Sequence, residues 1–298
     1  MRVSGWQGVD LRGLAIDDPR SNSVLCNSLA RCGLVTDGDV DGSLGPRLDW
    51  SHADGTSAVG LAFFSVLVRE FAARGRLYQL IEPTDQRLAT VVTNTSVQLG
   101  ITGEWTPTPL EKYPGPRTEC LAATTLVRGE NGAAAFLDAF ATAVKPHTGR
   151  DEFDLGMGCL QELIGNCIEH AESFHSAAVL FRRPSRRPVV IEAGIADCGP
   201  GVPATILQQE RHCSLASLSD ANILNTVFFH AFSGRDIEKG GGGFGLTFSQ
   251  LADCPATELI LRSGCGWLST KRDADGFKRS RFTYGVGTQA SLAFKLSA

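Results

Sequence analysis

An α+β protein in two parts is the fold class this sequence predicts, and three observations point to it. A strand-turn-helix pattern recurs between Arg47 and Gly100, and a proline-rich break follows it. Beyond the break, a long amphipathic helix leads into strands of alternating polarity.

Residues 1–46 are rich in turn formers, with one short helical pattern at 24–31 and no visible repeat. A strand signal at Leu48-Asp49-Trp50 leads through a turn at Asp54-Gly55 into an apolar-periodic helix over 57–73, ended by Gly75. A second strand over 77–81, then Pro83, precedes a helix over 85–99 that stops at Gly100. Residues 47–105 therefore read as a small α/β unit. Pro107, Pro109, Pro114 and Pro116, with Gly115, resist both helix and central strand, which places a linker at 106–120. The second unit, 121–298, opens with a strand over 121–127 and helices over 132–144 and 151–173. Strands over 177–182 and 189–195 form a hairpin across Arg-Pro turns. The last strand opens at Gly287-Thr288, where Ala290, Leu292, Phe294 and Leu296 take alternate positions.

With 298 residues and 43% hydrophobic content, the chain can bury at least one full core. Its formal charge of −4, from 28 basic and 32 acidic residues, provides no global attraction to nucleic acid or anionic lipid. The longest apolar stretch, 57–68, falls short of the roughly 20 residues that cross a bilayer, and the first residues lack the apolar core of a secretory signal. A cytoplasmic protein with no membrane partner is expected. Nine scattered cysteines with no C-x-x-C pair read as reduced thiols, with Cys159, Cys167 and Cys198 set in apolar or glycine-rich runs.

Three segments carry chemistry. In the long helix, Leu160, Leu163, Ile164, Cys167, Ile168 and Ala171 form one stripe, while Glu162, Asn166 and His170 share another. An amide oxygen suits Mg²⁺, and a carboxylate one turn away can orient or deprotonate a water or hydroxyl; a plain solvated face is the alternative. The strand over 189–195 runs into Asp197-Cys198-Gly199-Pro200-Gly201, where the acid can accept a hydrogen bond from an adenine amino group. The same glycines, with Asp220, also fit a dinucleotide-binding turn, but that leaves the Glu162 helix and a second glycine cluster unexplained. This second cluster, Gly240-Gly241-Gly242-Gly243-Phe244-Gly245-Leu246, follows Lys239 and leads into a helix from Leu246. Its backbone amides can cradle phosphates, and without Gly-Lys-Ser/Thr it is no Walker A loop; a flexible linker is the alternative.

Taken in order, Glu162-x-x-x-Asn166, Asp197-x-Gly199-x-Gly201, the run from Gly240 to Leu246, and Gly287-Thr288 resemble the four signature boxes of the GHKL ATPases. That superfamily includes gyrase, histidine kinases and anti-sigma-factor serine kinases. The resemblance covers roughly 121–298 and implies a Bergerat-type α/β sandwich, a mixed sheet with helices on one face. It implies Mg²⁺ and ATP as ligands, with Asn166 holding the metal, Glu162 acting as base or water-positioner, and Asp197 recognising adenine. Gly199 and Gly201 would shape the adenine side, Gly241, Gly243, Gly245 and Leu246 would lie by the phosphates, and Thr288 would support the adenine contacts. Residues 207–239 resemble the family's mobile ATP lid, with Arg235 and Lys239 as phosphate contacts or as solvated loop charges.

The N-terminal unit is similar to the STAS fold of anti-sigma-factor antagonists, through Leu48-Asp49-Trp50-Ser51 and the helix entry Gly55-Thr56-Ser57-Ala58. The likeness implies Ser57 as a phospho-acceptor; ordinary helix capping is the other reading. No phospho-acceptor histidine helix or receiver domain is recognisable, which separates the chain from ordinary two-component kinases, and His170 and His175 suit packing roles. A basic insertion over 267–284, with Arg182, Arg183, Arg186 and Arg187, reads as solvated hairpin tips or as a surface for an acidic partner. The function expected is an ATP-dependent regulatory protein acting on a protein partner, by ATP hydrolysis or by phosphorylation of Ser or Thr. The alternative is a module that binds ATP without turning it over. A homodimer is compatible with either.

Overall fold

Apolar side chains on both faces of one sheet determine the architecture. The protein is seen in a computed structural model that describes residues 8–10, 47–49, 57–73, 79–82, 84–103, 119–126, 131–170, 175–184, 188–229, 243–273, 276–281 and 287–296. Near the N-terminus, β1 (Gly8–Asp10), β2 (Arg47–Asp49) and β3 (Gln79–Ile81) pair in parallel in that order. Helix α1 (Ala58–Ala73) connects β2 to β3, as parallel pairing requires. Two short helices follow, α2 (Gln86–Val91) and α3 (Gln98–Thr102), joined by a π-helical stretch over Val92–Val97. The strand-helix-strand-helix order expected from sequence is thus present, and β1 is an addition to it.

The C-terminal part contains β4 (Glu119–Thr125), α4 (Gly132–Val144), α5 (Arg150–His170), β5 (Ser176–Arg183), β6 (Val190–Asp197) and α6 (Val202–Leu207). It continues with α7 (Asp220–Phe229), α8 (Gly243–Ala252), β7 (Thr257–Ser263), β8 (Gly266–Asp273), β9 (Gly276–Arg281) and β10 (Thr288–Lys295). The seven strands lie in the order β4-β5-β6-β10-β7-β8-β9. Every neighbouring pair is antiparallel, which corrects the expectation of a mixed sheet. For three of the six pairs the reason lies in the connections: β5–β6, β7–β8 and β8–β9 are joined by segments too short for a parallel crossover.

Helices were expected on one face, yet both faces are covered. On one face, Leu180, Ile195, Leu261, Leu292 and Phe294 meet Phe136 and Phe140 of α4, Leu160 and Ile164 of α5, and Phe228 and Phe248 of α7 and α8. On the other, Ala177, Val179, Phe181 and Ala196 pack against α1. This second face needs cover because it carries the apolar Ala177, Val179, Phe181 and Ala196. Ala58 through Val68, and Phe71, are all buried. A helix apolar all round needs partners on two sides, and α1 lies between the sheet and the α3 layer. The N-terminal unit therefore shares a core with the C-terminal sheet.

Close approach and a polar lock hold α1 there. A Cβ on Gly194 of β6 would collide with the backbone of Ala58 and Val59, so only glycine lets the helix start rest on the strand. Next to it, Glu192 accepts the Ala58 N–H at 2.7 Å through Oε1 and the Arg183 Nε–H at 2.7 Å through Oε2. One carboxylate thus satisfies an orphan amide of the helix start and neutralises a half-buried guanidinium.

The segment likened to a mobile lid is largely built into the fold. Residues Glu210–Ser217 form a 3₁₀ helix, and Ala221, Ile223, Leu224, Val227 and Phe228 of α7 are buried. Residues 230–242 lie outside the described residues. Among the described residues, no helix is long and apolar enough to cross a membrane.

Candidate nucleotide site

On the α5 side of the sheet, the apolar core ends in a polar row. Thr288 of β10 faces Ser263 of β7 in register, and the neighbouring β6 strand ends beside them at Asp197. Asp197 is 8% exposed, and both its carboxylate oxygens accept hydrogen bonds. Oδ1 takes the Gly199 N–H at 2.7 Å and the Thr288 N–H at 3.1 Å, and Oδ2 takes the Cys167 S–H at 3.6 Å. A carboxylate with donors on both oxygens is held in one orientation.

The loop after β6 is held by the same row. Ser263 accepts the Val202 N–H at 2.7 Å and lies 2.9 Å from the Thr288 hydroxyl. Gly201 has φ +81°, and a Cβ there would come within 2.9 Å of the Ser263 hydroxyl and 3.0 Å of the Gly264 amide. Conformation and space together call for glycine at this position. Thr288 is therefore brought to Asp197, Gly199 and Gly201 from 91 positions further along the chain than Asp197.

Helix α5 shows the two expected stripes as far as Cys167; Ile168 is half-buried, and Ala171 and the His170 side chain fall outside what is described. Cys159, Leu160, Leu163, Ile164 and Cys167 are buried, Glu162 is exposed and Asn166 half-buried. The Cys167–Asp197 bond ties this helix to the end of β6, and Asn166 precedes Cys167 on the same turn. Neither Glu162 nor Asn166 hydrogen-bonds to the Asp197 cluster among the described residues. Burial pushes the Cys167 thiol well above the usual range, with the Asp197 charge and hydrogen bond acting in the same direction. It is a donor here and not a nucleophile.

The second glycine cluster is seen in part. Gly243, Gly245 and Leu246 lie in the first turn of α8, which packs against α5. The helix thus begins earlier than Leu246, and its glycines are tolerated because the first turn has free amides in any case. Gly241, Arg235 and Lys239 fall outside the described residues. Among the described residues, no three His, Cys, Asp or Glu side chains form a metal site.

Other expected residues take structural positions. Ser57 accepts the Gly60 N–H at 3.0 Å, the geometry of a helix N-cap, on the sheet face opposite the Asp197 row. Asp220 accepts the Cys265 N–H at 2.7 Å in the β7–β8 turn, which accounts for it without a ribose. Arg182 and Arg183 pair with Glu119 and Glu192 at 3.3 and 2.7 Å, so these two cations are engaged within the chain. His175 lies 3.9 Å from Glu70 of α1, and its carbonyl accepts the Cys198 N–H at 3.1 Å. Burial lowers the His175 pKa, against the pull of Glu70 and with that of Arg69.

Sequence reasoning missed Ser263. The signal was a strand over Thr257–Ser263 whose core-facing Leu259 and Leu261 are followed by a serine at the next inward position. No family model, curated protein or solved structure matches the chain.

Proposed function

We propose that this chain binds ATP with Mg²⁺ on the α5 side of the sheet and serves as an ATP-dependent regulatory protein. The observation that carries the reading is the Asp197 carboxylate, which accepts the N–H of Gly199 in its own GHKL-like segment and that of Thr288 in the last one, and bonds Cys167, the residue that follows the Glu162–Asn166 segment. A fixed acceptor beside tight glycine backbone is the arrangement an adenine amino group needs. The remaining segment supports the reading by position, since the glycine-started α8 packs against α5.

The residues present fit such a ligand. Asn166, half-buried and one turn from Glu162, would hold the metal with the phosphates, because Mg²⁺ favours few protein ligands plus substrate oxygens. The free amides at the start of α8 would face the phosphates. Bound ATP supplies a phosphoryl group for hydrolysis or for transfer to a Ser or Thr hydroxyl. Glu162, exposed on α5, would orient or deprotonate the attacking hydroxyl. A protein partner in a regulatory pathway follows from this reading.

Titration calorimetry with Mg-ATP on the full chain tests the proposal. The native protein binds, and Asp197→Asn loses about tenfold or more in affinity, because it turns an acceptor into a donor facing another donor. Absence of binding by folded native protein would remove the proposal. Labelled ATP then separates an enzyme, which releases phosphate or transfers it to a hydroxyl, from a module that binds without turnover.

A further inference from the structure

On the sheet face turned toward α1, we propose that Gln289 and Arg262 hold a small oxyanion. Gln289 of β10 stands opposite Arg262 of β7 and Ala196 of β6, and Ala196 packs in the core that α1 covers. Gln289 and Arg262 therefore share that face, one residue along from Thr288 and Ser263 on the other. Each is only 1% exposed. Gln289 Nε2 is buried with no hydrogen-bond partner among the described residues, and the Nε atom of Arg262, which is engaged through other atoms, has none either.

A buried amide donor without an acceptor gives up its hydration and gains nothing in return, so native proteins rarely keep one. Turning the carboxamide over moves this need without removing it, because the two N–H groups go with it. The carboxylates of Glu192 and Glu258 point to the same face but are committed elsewhere. Glu192 takes Arg183 and the Ala58 N–H, each at 2.7 Å, and Glu258 takes Lys271 at 2.6 Å. Neither supplies the acceptor that Gln289 requires.

The surroundings decide what kind of acceptor fits. A guanidinium has five N–H donors and no acceptor. Residues opposite each other on antiparallel strands have Cβ atoms about 4.5–5.5 Å apart, so one small group can bridge Gln289 and Arg262. A water accepting from Gln289 would have to place two hydrogens of its own beside these donors. An oxyanion brings lone pairs only, and its charge suits a buried guanidinium. With Trp267 opposite Arg262 on β8, itself 7% exposed, the pair is enclosed, which restricts the guest to a small group such as sulfate, phosphate or a carboxylate.

Thermal unfolding midpoints of the full chain, in sodium sulfate against sodium chloride of equal ionic strength, test the site. A ligand that binds only the folded state raises the midpoint. Sulfate should raise that of native protein by at least about 2 °C more than that of Gln289→Leu, which keeps the bulk and removes the donor. Taking the difference cancels the general stabilising effect of sulfate and any sulfate bound at the proposed nucleotide site. Equal shifts overturn the inference, and a trapped water or a self-satisfied pair gives that result. Should Gln289→Leu fail to fold, Gln289→Met takes its place, and the same difference decides. Gln289→Glu sets a carboxylate beside Arg262, so it should at least match native stability in chloride and lose the extra response to sulfate. A Gln289→Glu protein less stable than native in chloride would show that the position rejects negative charge, and that too overturns the inference. Neither outcome depends on whether the chain binds ATP.

Discussion

Arg183 and Glu192 meet at 2.7 Å on neighbouring strands, directly under the first turn of α1, and the same glutamate accepts the Ala58 amide. Both side chains are mostly withdrawn from water, so the pair acts as a lock between the N-terminal helix and the sheet. Removing the carboxylate leaves a half-buried guanidinium and an orphan amide together. Glu192→Ala should cost about 1–3 kcal/mol in urea unfolding, and Glu192→Gln less, since the amide oxygen still accepts. Equal stability of all three proteins would contradict the lock.

Because α1 covers Val179 and Phe181, the C-terminal part should not be independent of what precedes it. A chain restricted to residues 119–298 would leave an apolar sheet face open to water, and such faces drive association. The expected outcome is aggregation, or a species without a cooperative thermal transition, where the full chain shows one. A monomeric, cooperatively folding fragment would show that the second core is dispensable.

Local pattern was enough for elements whose partners are near in sequence. The helix over Gly132–Val144 was legible because Phe136, Phe140 and Val144 fall four apart on one stripe. The partner of α1 was not legible. Its all-round apolarity called for two partners, but the residue that receives its first amide lies 134 positions away. Sheet order was hidden for the same reason, since β10 inserts between β6 and β7 from the end of the chain. At the candidate site, Asp197, Gly199, Gly201 and Thr288 were readable because acids and glycines after strands have few roles. Ser263 was not, for it ends a strand in which the charged Arg262 is itself 1% exposed, and a buried arginine disguises the alternation.

On the proposed reading, Glu162 serves chemistry and Asn166 serves binding. With Glu162 exposed and Asn166 half-buried one turn on, the two side chains should fail in different ways. Should the chain turn ATP over, Glu162→Gln is expected to lose about 10²–10⁴-fold in rate while retaining nucleotide affinity. Asn166→Ala should weaken binding in magnesium and leave magnesium-free binding near native. Phosphate release and calorimetry with and without EDTA read both, and the opposite assignment of defects would exchange or remove these roles.

His175 gives a pH dependence with a definite sign. Burial depresses its folded-state pKa below the ordinary value of 6.5. The folded protein therefore binds fewer protons than the unfolded chain in the interval between the two values, and stability rises with pH there. The contribution is fully present above about pH 6.5 and is lost as pH falls through the lower, folded value. Unfolding midpoints in urea between pH 7.5 and 5 should decline more steeply for the native protein than for His175→Gln. Parallel declines would place the acid sensitivity in other groups.

The cysteines offer a check on packing at the candidate site that requires no nucleotide. Cys159 and Cys167 are buried on α5, and burial pushes both thiols up, aided by Glu162 for the first and Asp197 for the second. A thiol that is both covered and held protonated reacts slowly, since the thiolate is the nucleophile. Cys213 lies exposed on the 3₁₀ helix after α6. Brief alkylation of native protein, followed by peptide mapping, should label Cys213 first and leave Cys159 and Cys167 unmodified until denaturant is added. Early labelling of Cys167 would mean that α5 moves away from Asp197 in solution, and the carboxylate would then lose one of the donors that hold it in place.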